Sequence, residues 1–255
     1  NSAYQSLLAG QTQTLNIPLT VTDNHGGTAT KILIITLTGT NQGAVIAGVD
    51  AGSVMEDTTS PSTHLLETAG QLTISDPDSD QAVFTDHSGA AALTGSYGSL
   101  SIDASGAWHY SADNNQAAVQ QLGRGATLTE HFTITSVDGT QHTVTVTLNG
   151  TNDVPVLNAI SARNAVEDGD ILTGQLTATD IDTGDTLSYS TTLVTAGFTL
   201  SANGSYSFNP GDAAYQHLAE GVQQVLSIPV TVTDSHGPTA MQNLLITLPG
   251  TNDLP

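Results

Sequence analysis

The sequence of 255 residues has no cysteine, a single tryptophan, two methionines and only three basic residues, Lys31, Arg124 and Arg163. Each scarcity closes off a class of protein. Without cysteine there is neither a disulfide framework nor a thiolate metal site. With so few cations against 24 acidic side chains, the formal net charge is −21. That field repels nucleic acid and anionic membrane surfaces and attracts cations. Apolar runs are short, as at Ile32–Ile35, whereas a membrane-spanning helix needs about 20 apolar residues. An initiator methionine and a signal peptide are also missing, so the sequence reads as an excised piece of something longer. By length it holds one to three domains with real cores.

The acidic set is lopsided, with five Glu and the remainder Asp. Asp favours turns and is a short, hard oxygen ligand, whereas a merely solubilising helix surface would be rich in Glu. The acids recur within repeats. Tyr4–Asn41 aligns with Tyr215–Asn252 at a constant offset, and "LNIPLTVTDNHGGTA" is answered by "LSIPVTVTDSHGPTA". A looser copy ends in "HTVTVTLNGTND" in the middle of the chain. Upstream, "VMED" (Val54–Asp57) matches "VED" (Val166–Asp168), and "SDPDSD" (Ser75–Asp80) matches "TDIDTGD" (Thr179–Asp185). The pattern predicts two full units, Gly43–Asp153 and Val154–Pro255. Before them, Asn1–Gln42 is the C-terminal part of a first repeat whose other half lies upstream. A repeat near 100 residues is the size of a self-contained domain.

Each unit is written in the strand period. "FTITSV", "TVTVTL" and "IPVTVT" alternate apolar residues with Thr, and pairs such as Ser105-Gly106, Asp138-Gly139 and Asn203-Gly204 mark turns. Helical potential is confined to short turns at Asp212–Glu220 and Asn115–Leu122. The fold class is therefore all-β, with tandem antiparallel two-sheet sandwiches. Trp108 with Tyr110, and Tyr206 with Phe208, sit two apart on one strand face and read as core.

Strand direction then places the acids. A first strand from Pro155 leads to Glu167 and Asp168 at one end of the last unit. The return strand Ile171–Thr179 delivers Asp180, Asp182 and Asp185 to the other end. The strand Ile228–Thr233 delivers Asp234 there as well, and Asn152 and Asp153 enter beside it. The expected seam gathers these with Glu56 of the preceding unit. Crowded carboxylates without basic neighbours repel one another unless a cation intervenes. Oxygen ligands from several loops suit Ca2+ better than Mg2+. Any one of these motifs could equally be an Asp-rich turn; convergence of three favours the ion.

Taken together, "VED", "DxDxxD", "YGSLSIDASGAWHY", "LAEG", "VTDxHGGTA" and "GTNDxP" resemble the VCBS-type and bacterial cadherin-like repeats of giant secreted (RTX-type) adhesins. The resemblance implies immunoglobulin-like domains in tandem, with calcium at the linkers stiffening a stalk outside a Gram-negative cell. Its partners would be neighbouring repeats of the same long chain and, through other domains, a host or biofilm surface ligand; the chain itself would be monomeric. The implied ligand set is Glu56, Asp57, Asn152, Asp153, Asp180, Asp182 and Asp234, with Glu167, Asn252 and Asp253 as the equivalents at the C-terminal end. At the first linker, Gln42 and Gly43 stand where Asp and Pro are expected. Asn41, Asp76, Asp78 and Asp138 therefore form a weaker set there.

Other chemistry finds little support. His25 and His236 recur in turns without metal spacing, and no "GxSxG" marks a nucleophile. The Thr143, Thr145 and Thr147 face could order water or bind ice or glycan, but such a face is commonly the exposed side of an antiparallel sheet. If one repeat is itself a glycan- or protein-binding module, Phe84–Gly95 is the unit-specific segment to carry it.

Overall fold

A computed structural model describes residues 4–58, 63–78 and 80–252. The chain divides into two compact units: Asn1–Gln116 with Leu128–Leu148, and Ala117–Thr127 with Asn149–Pro255. Both are built almost wholly from antiparallel strands, as the alternation of Thr with Val, Ile and Leu dictates.

Unit 1 carries a five-stranded sheet, in the order Val45–Gly48, Leu65–Ser75, Ala107–Asp113, Gly98–Ile102 and Leu93–Thr94. A three-stranded sheet is formed by Ala51–Met55, Gln141–Asn149 and Thr127–Thr135. Leu66, Leu72, Leu100, Ile102, Trp108 and Tyr110 of the first sheet are buried, as are Phe132, Ile134, Val144, Val146 and Leu148 of the second. The Trp108 indole N–H donates to the Val49 carbonyl at 2.7 Å. The hairpin Thr12–Thr22/Thr28–Thr38 forms a separate two-stranded sheet. Phe84, at the head of the unit-specific segment, is buried and bridges to Ser136.

Unit 2 has a four-stranded sheet, in the order Arg163–Asn164, Thr239–Pro249, Gln223–Thr233 and Ser188–Ser190. Arg163–Asn164 runs parallel to its neighbour; the other pairs are antiparallel. A three-stranded sheet comprises Leu172–Gln175, Ser205–Phe208 and Phe198–Leu200. Their inner faces meet in a core that includes Leu176, Tyr189, Tyr206, Phe208, Ile228, Val230, Val232, Leu244 and Ile246.

Two expected continuous strands are broken. Ile171–Thr179 is interrupted: Leu172–Gln175 pairs with Ser205–Phe208, whereas Ala178–Thr179 pairs with Val156–Leu157. At the break the Leu176 N–H turns to the Gly204 carbonyl (2.9 Å) and its side chain enters the core. The strand from Pro155 is likewise split into Val156–Leu157 and Arg163–Asn164. Of the two helical candidates, Asn115–Leu122 contains only the helix Ala117–Gln120, and Asp212–Glu220 is a series of turns.

The three Gly-Thr-Asn copies share one geometry. The N–H groups of Gly39, Gly150 and Gly250 donate to the carbonyls of Gln11, Ala126 and Val222 at 2.7, 2.9 and 2.8 Å. A Cβ on Gly39 would strike the carbonyls of Leu7 and Leu8, and one on Gly150 those of Leu122 and Gly123. On Gly250 it would strike those of Leu218 and Ala219. The glycine is required because backbone passes against backbone there. Gly250→Ala should therefore destabilise unit 2 by about 1–3 kcal/mol. Gly211→Ala, where the nearest atom to an added Cβ is Asn209 Oδ1 at 3.5 Å, should be near neutral. Thermal unfolding of the two variants checks this, and equal melting temperatures would refute the close-approach account.

Candidate functional site

The acidic loop of unit 2 is shaped by its own side chains. Asp180 Oδ1 accepts the Asp182 N–H at 3.0 Å, closing a short turn. The Thr183 N–H donates to the Gln121 carbonyl at 3.1 Å, and Gly184, with φ +97°, lets the chain reverse so that Asp185 returns toward Asp182. From the end of the strand Gln223–Thr233, Asp234 holds the His236 and Gly237 N–H groups through Oδ1, both at 2.7 Å. Its Oδ2 accepts Asn152 Nδ2 at 3.0 Å, and the Asp153 N–H donates to Asp182 Oδ2 at 2.8 Å. Three separate motifs thus meet within unit 2.

One carboxylate oxygen each from Asp180, Asp182 and Asp185 lie within 4.8 Å of one another, and Asp185, Asp234 and His236 form a second such group. Asp182 is 4 % exposed and Asp234 6 %. Asp180 Oδ2, Asp182 Oδ1 and Asn152 Oδ1 are buried with no hydrogen-bond donor. No lysine or arginine compensates: every ion pair among the described residues uses a histidine, and here it is His236 Nδ1 to Asp185 at 3.1 Å. Burial pushes the Asp182 carboxyl above the usual carboxylate range, and the charges of Asp180, Asp185 and Asp234 push the same way. Burial also acts to raise Asp234. The Asn152 amide and the His236 and Gly237 N–H groups outweigh it, and the carboxyl lies below its ordinary value. Two buried carboxylate oxygens and an amide oxygen without donors form a hard-oxygen set suited to a cation such as Ca2+.

Unit 1 holds a less complete version. The Asp78 N–H donates to Asp76 Oδ1 at 2.8 Å, and the Gln42 N–H donates to Asp78 Oδ2 at 2.7 Å. Asp76 Oδ2, Asp78 Oδ1 and Gln81 Oε1 are buried without donors. Here the loop is one residue shorter: Asp80 is exposed, with φ 65°, where unit 2 has Gly184 and the returning Asp185. The turn position of Asp234 is taken by Ser136, whose N–H bonds the Thr140 carbonyl as that of Asp234 bonds the Pro238 carbonyl. Asp138 curls back instead. It accepts the Ser136 hydroxyl, the Thr140 hydroxyl at 2.8 Å and N–H at 3.1 Å, and the Ala44 N–H at 3.0 Å. Burial opposes ionisation, yet these donors hold the Asp138 carboxyl far below its ordinary value. The protein itself satisfies this carboxylate.

Glu56 is fully buried in unit 1, and Asp57, with φ 61°, exchanges hydrogen bonds with Asn114 at 3.1 and 3.0 Å. Glu167 is buried in unit 2 and accepts the Thr251 N–H at 2.7 Å through Oε2, leaving buried Oε1 without a donor. Asn41 and Asn252 are exposed, and Asp253 lies outside the described residues. The ligand set read from sequence omits Asp185 and Gln81. Asp185 was legible as the last acid of its loop; Gln81 carries no such signal.

A family profile described as a bacterial cadherin-like domain matches residues 41–150 and 152–250. The fold resembles protocadherin gamma B2 extracellular domains 1–5 (TM-score 0.54, 13% identity), covering 96% of this chain and 46% of that one. It also resembles the protocadherin gamma B4 extracellular domain (TM-score 0.52, 15% identity), covering 93% of this chain and 38% of that one. Mouse cadherin-23 EC22–24 is a third relative in fold (TM-score 0.50, 16% identity), with 83% and 67% covered. This chain thus spans less than half the length of the two protocadherins. No curated protein matches the sequence.

In chelator, the two acidic sets should respond oppositely to neutralisation. Asp182→Asn removes a repelled charge, so it should raise the melting temperature in chelator and lower it in millimolar Ca2+. Asp138→Asn removes a satisfied charge and should lower it in both. Calorimetry in the two buffers tests this; an Asp182→Asn variant that loses stability equally in both would contradict the cation reading.

Proposed function

The chain belongs to the bacterial cadherin-like domain family, and from that premise we propose that it is a calcium-stabilised extender segment of a secreted bacterial adhesin, of the VCBS or RTX type, outside a Gram-negative cell. The observation that carries the reading is the trio of buried donorless oxygens on Asn152, Asp180 and Asp182. Asp185 and Asp234, with Asp153 beside them, would hold a Ca2+ there. Asp76, Asp78, Gln81 and Asn41 would hold a weaker one. Glu56 and Asp57 in unit 1 are further proposed donors, and Glu167, Asn252 and Asp253 are their proposed equivalents at the C-terminal end of unit 2. Bound calcium would supply the positive charge that the protein lacks; the chain's own part is to position oxygens and exclude water. The motifs fall at repeat ends rather than in one distinctive loop, which favours an extender over a ligand-gripping module.

Extracellular modules bind Ca2+ with dissociation constants of about 10⁻⁴–10⁻³ M. At ten times that constant one site adds about 1.4 kcal/mol to the folded state. Chelator should therefore lower the melting temperature by several degrees while each sandwich keeps its β-sheet circular dichroism, since the cores do not depend on the ion. Small-angle scattering should show a broader shape distribution in chelator. Identical melting temperature and scattering with millimolar calcium and with chelator would overturn the proposal.

A further inference from the structure

The hairpin of Thr12–Thr22 and Thr28–Thr38 carries an apolar face whose covered counterpart exists in unit 2. Its register matches that of Gln223–Thr233 with Thr239–Pro249: Ile17 opposes Leu33 as Ile228 opposes Leu244. Ile228, Val230, Val232, Leu244 and Ile246 are fully buried, whereas Ile17, Leu19, Val21, Leu33 and Ile35 are 40%, 52%, 72%, 45% and 37% exposed. In unit 2 the cover comes from the first half of the repeat. Leu176, Tyr189, Tyr206 and Phe208 pack on the face. Arg163–Asn164 and Ser188–Ser190 extend its two edges. Among the described residues the hairpin pairs with no further strand.

We propose that this face is a docking surface for the first half of a repeat of the same kind, a polypeptide with the strand pattern and DxDxxD loop of residues 154–214, which closes it into a further sandwich. Area decides against a second copy of the hairpin as occupant. Strands of this length present a face of about 36 by 10 Å, roughly 350 Å². Two such faces pressed together would bury about 700 Å², well short of the ~1,200 Å² of a stable specific interface. A half-repeat covers the face and also takes up both open edges. The turn points the same way: Asp23 Oδ1 holds the His25 and Gly27 N–H groups at 2.9 and 2.8 Å. Asp234 Oδ1 likewise holds the N–H of His236, the counterpart of His25, and in unit 2 that turn meets the acidic loop supplied by the first half of its own repeat. The proposal rests on burial and register alone and stands whether or not the acidic loops bind calcium.

Placing a second copy of residues 154–214 directly ahead of Tyr4, a junction fixed by the repeat alignment, supplies the occupant in cis. Hydrogen exchange is then compared between the extended chain and the 255-residue chain. The amides of Thr20–Thr22 and Ile35–Leu37 should slow by on the order of tenfold or more, and binding of an apolar dye should fall. Leu19→Lys with Leu33→Lys should abolish both changes. Should the extended chain not fold, the 154–214 polypeptide added in trans gives the same exchange readout. Unchanged exchange in both formats overturns the proposal. So does sedimentation of the original chain as a dimer that Leu33→Lys converts to monomer, because a second copy would then be the cover.

Discussion

The constraint on which the structure turns is the burial of carboxylate oxygens in a chain with almost no positive charge. An isolated buried carboxylate is too expensive to keep ionised, so each must find donors. With three Lys and Arg in the whole sequence, backbone N–H groups serve instead: Asp182 takes that of Asp153, Asp78 that of Gln42, and Asp234 those of His236 and Gly237. A carboxylate has more acceptor sites than these donors fill. The surplus is what remains on Asp180, Asp182, Asp76 and Asp78. A cation is the partner that can serve several such oxygens at once.

The acidic loops and the Gly-Thr-Asn turns are parts of one arrangement. The glycine lets the chain leave its last strand against the carbonyls of the preceding turn, in all three copies. Two residues on, Asn152 reaches Asp234, and the next amide reaches Asp182. The turn is therefore both punctuation and chemistry, because the geometry that ends the strand also delivers the amide and N–H donors to the acids.

Much of this was legible in the sequence because it follows from local pattern and strand direction. Strand period, turn glycines, the aromatic core pairs and the meeting of Asp180, Asp182 and Asp234 with Asn152 and Asp153 follow from alternation and direction alone. The break at Leu176 was not legible, since Ile171–Thr179 reads as one strand and only the competing pull of two sheets divides it. Nor was the exchange of roles between Ser136 and Asp138. The Asp-Gly turn there suggested a ligand, and only the surrounding hydroxyls show a carboxylate already saturated by the protein. Gln81 has no marker in sequence because its relevance is a matter of burial.

The two copies of the "IPxTVTDxHG" hairpin separate what local sequence specifies from what it does not. They share side chains and strand register, and in both a carboxylate closes the turn. They differ in burial: Ile228 belongs to the buried cluster with Tyr206 and Phe208, whereas Ile17 is 40% exposed. Pairing is written in the hairpin, since alternation and a tight turn suffice to set it. The core is written in the half of the repeat that precedes the hairpin. A strand pattern therefore shows which face seeks cover, and the rest of the repeat determines whether that cover is supplied.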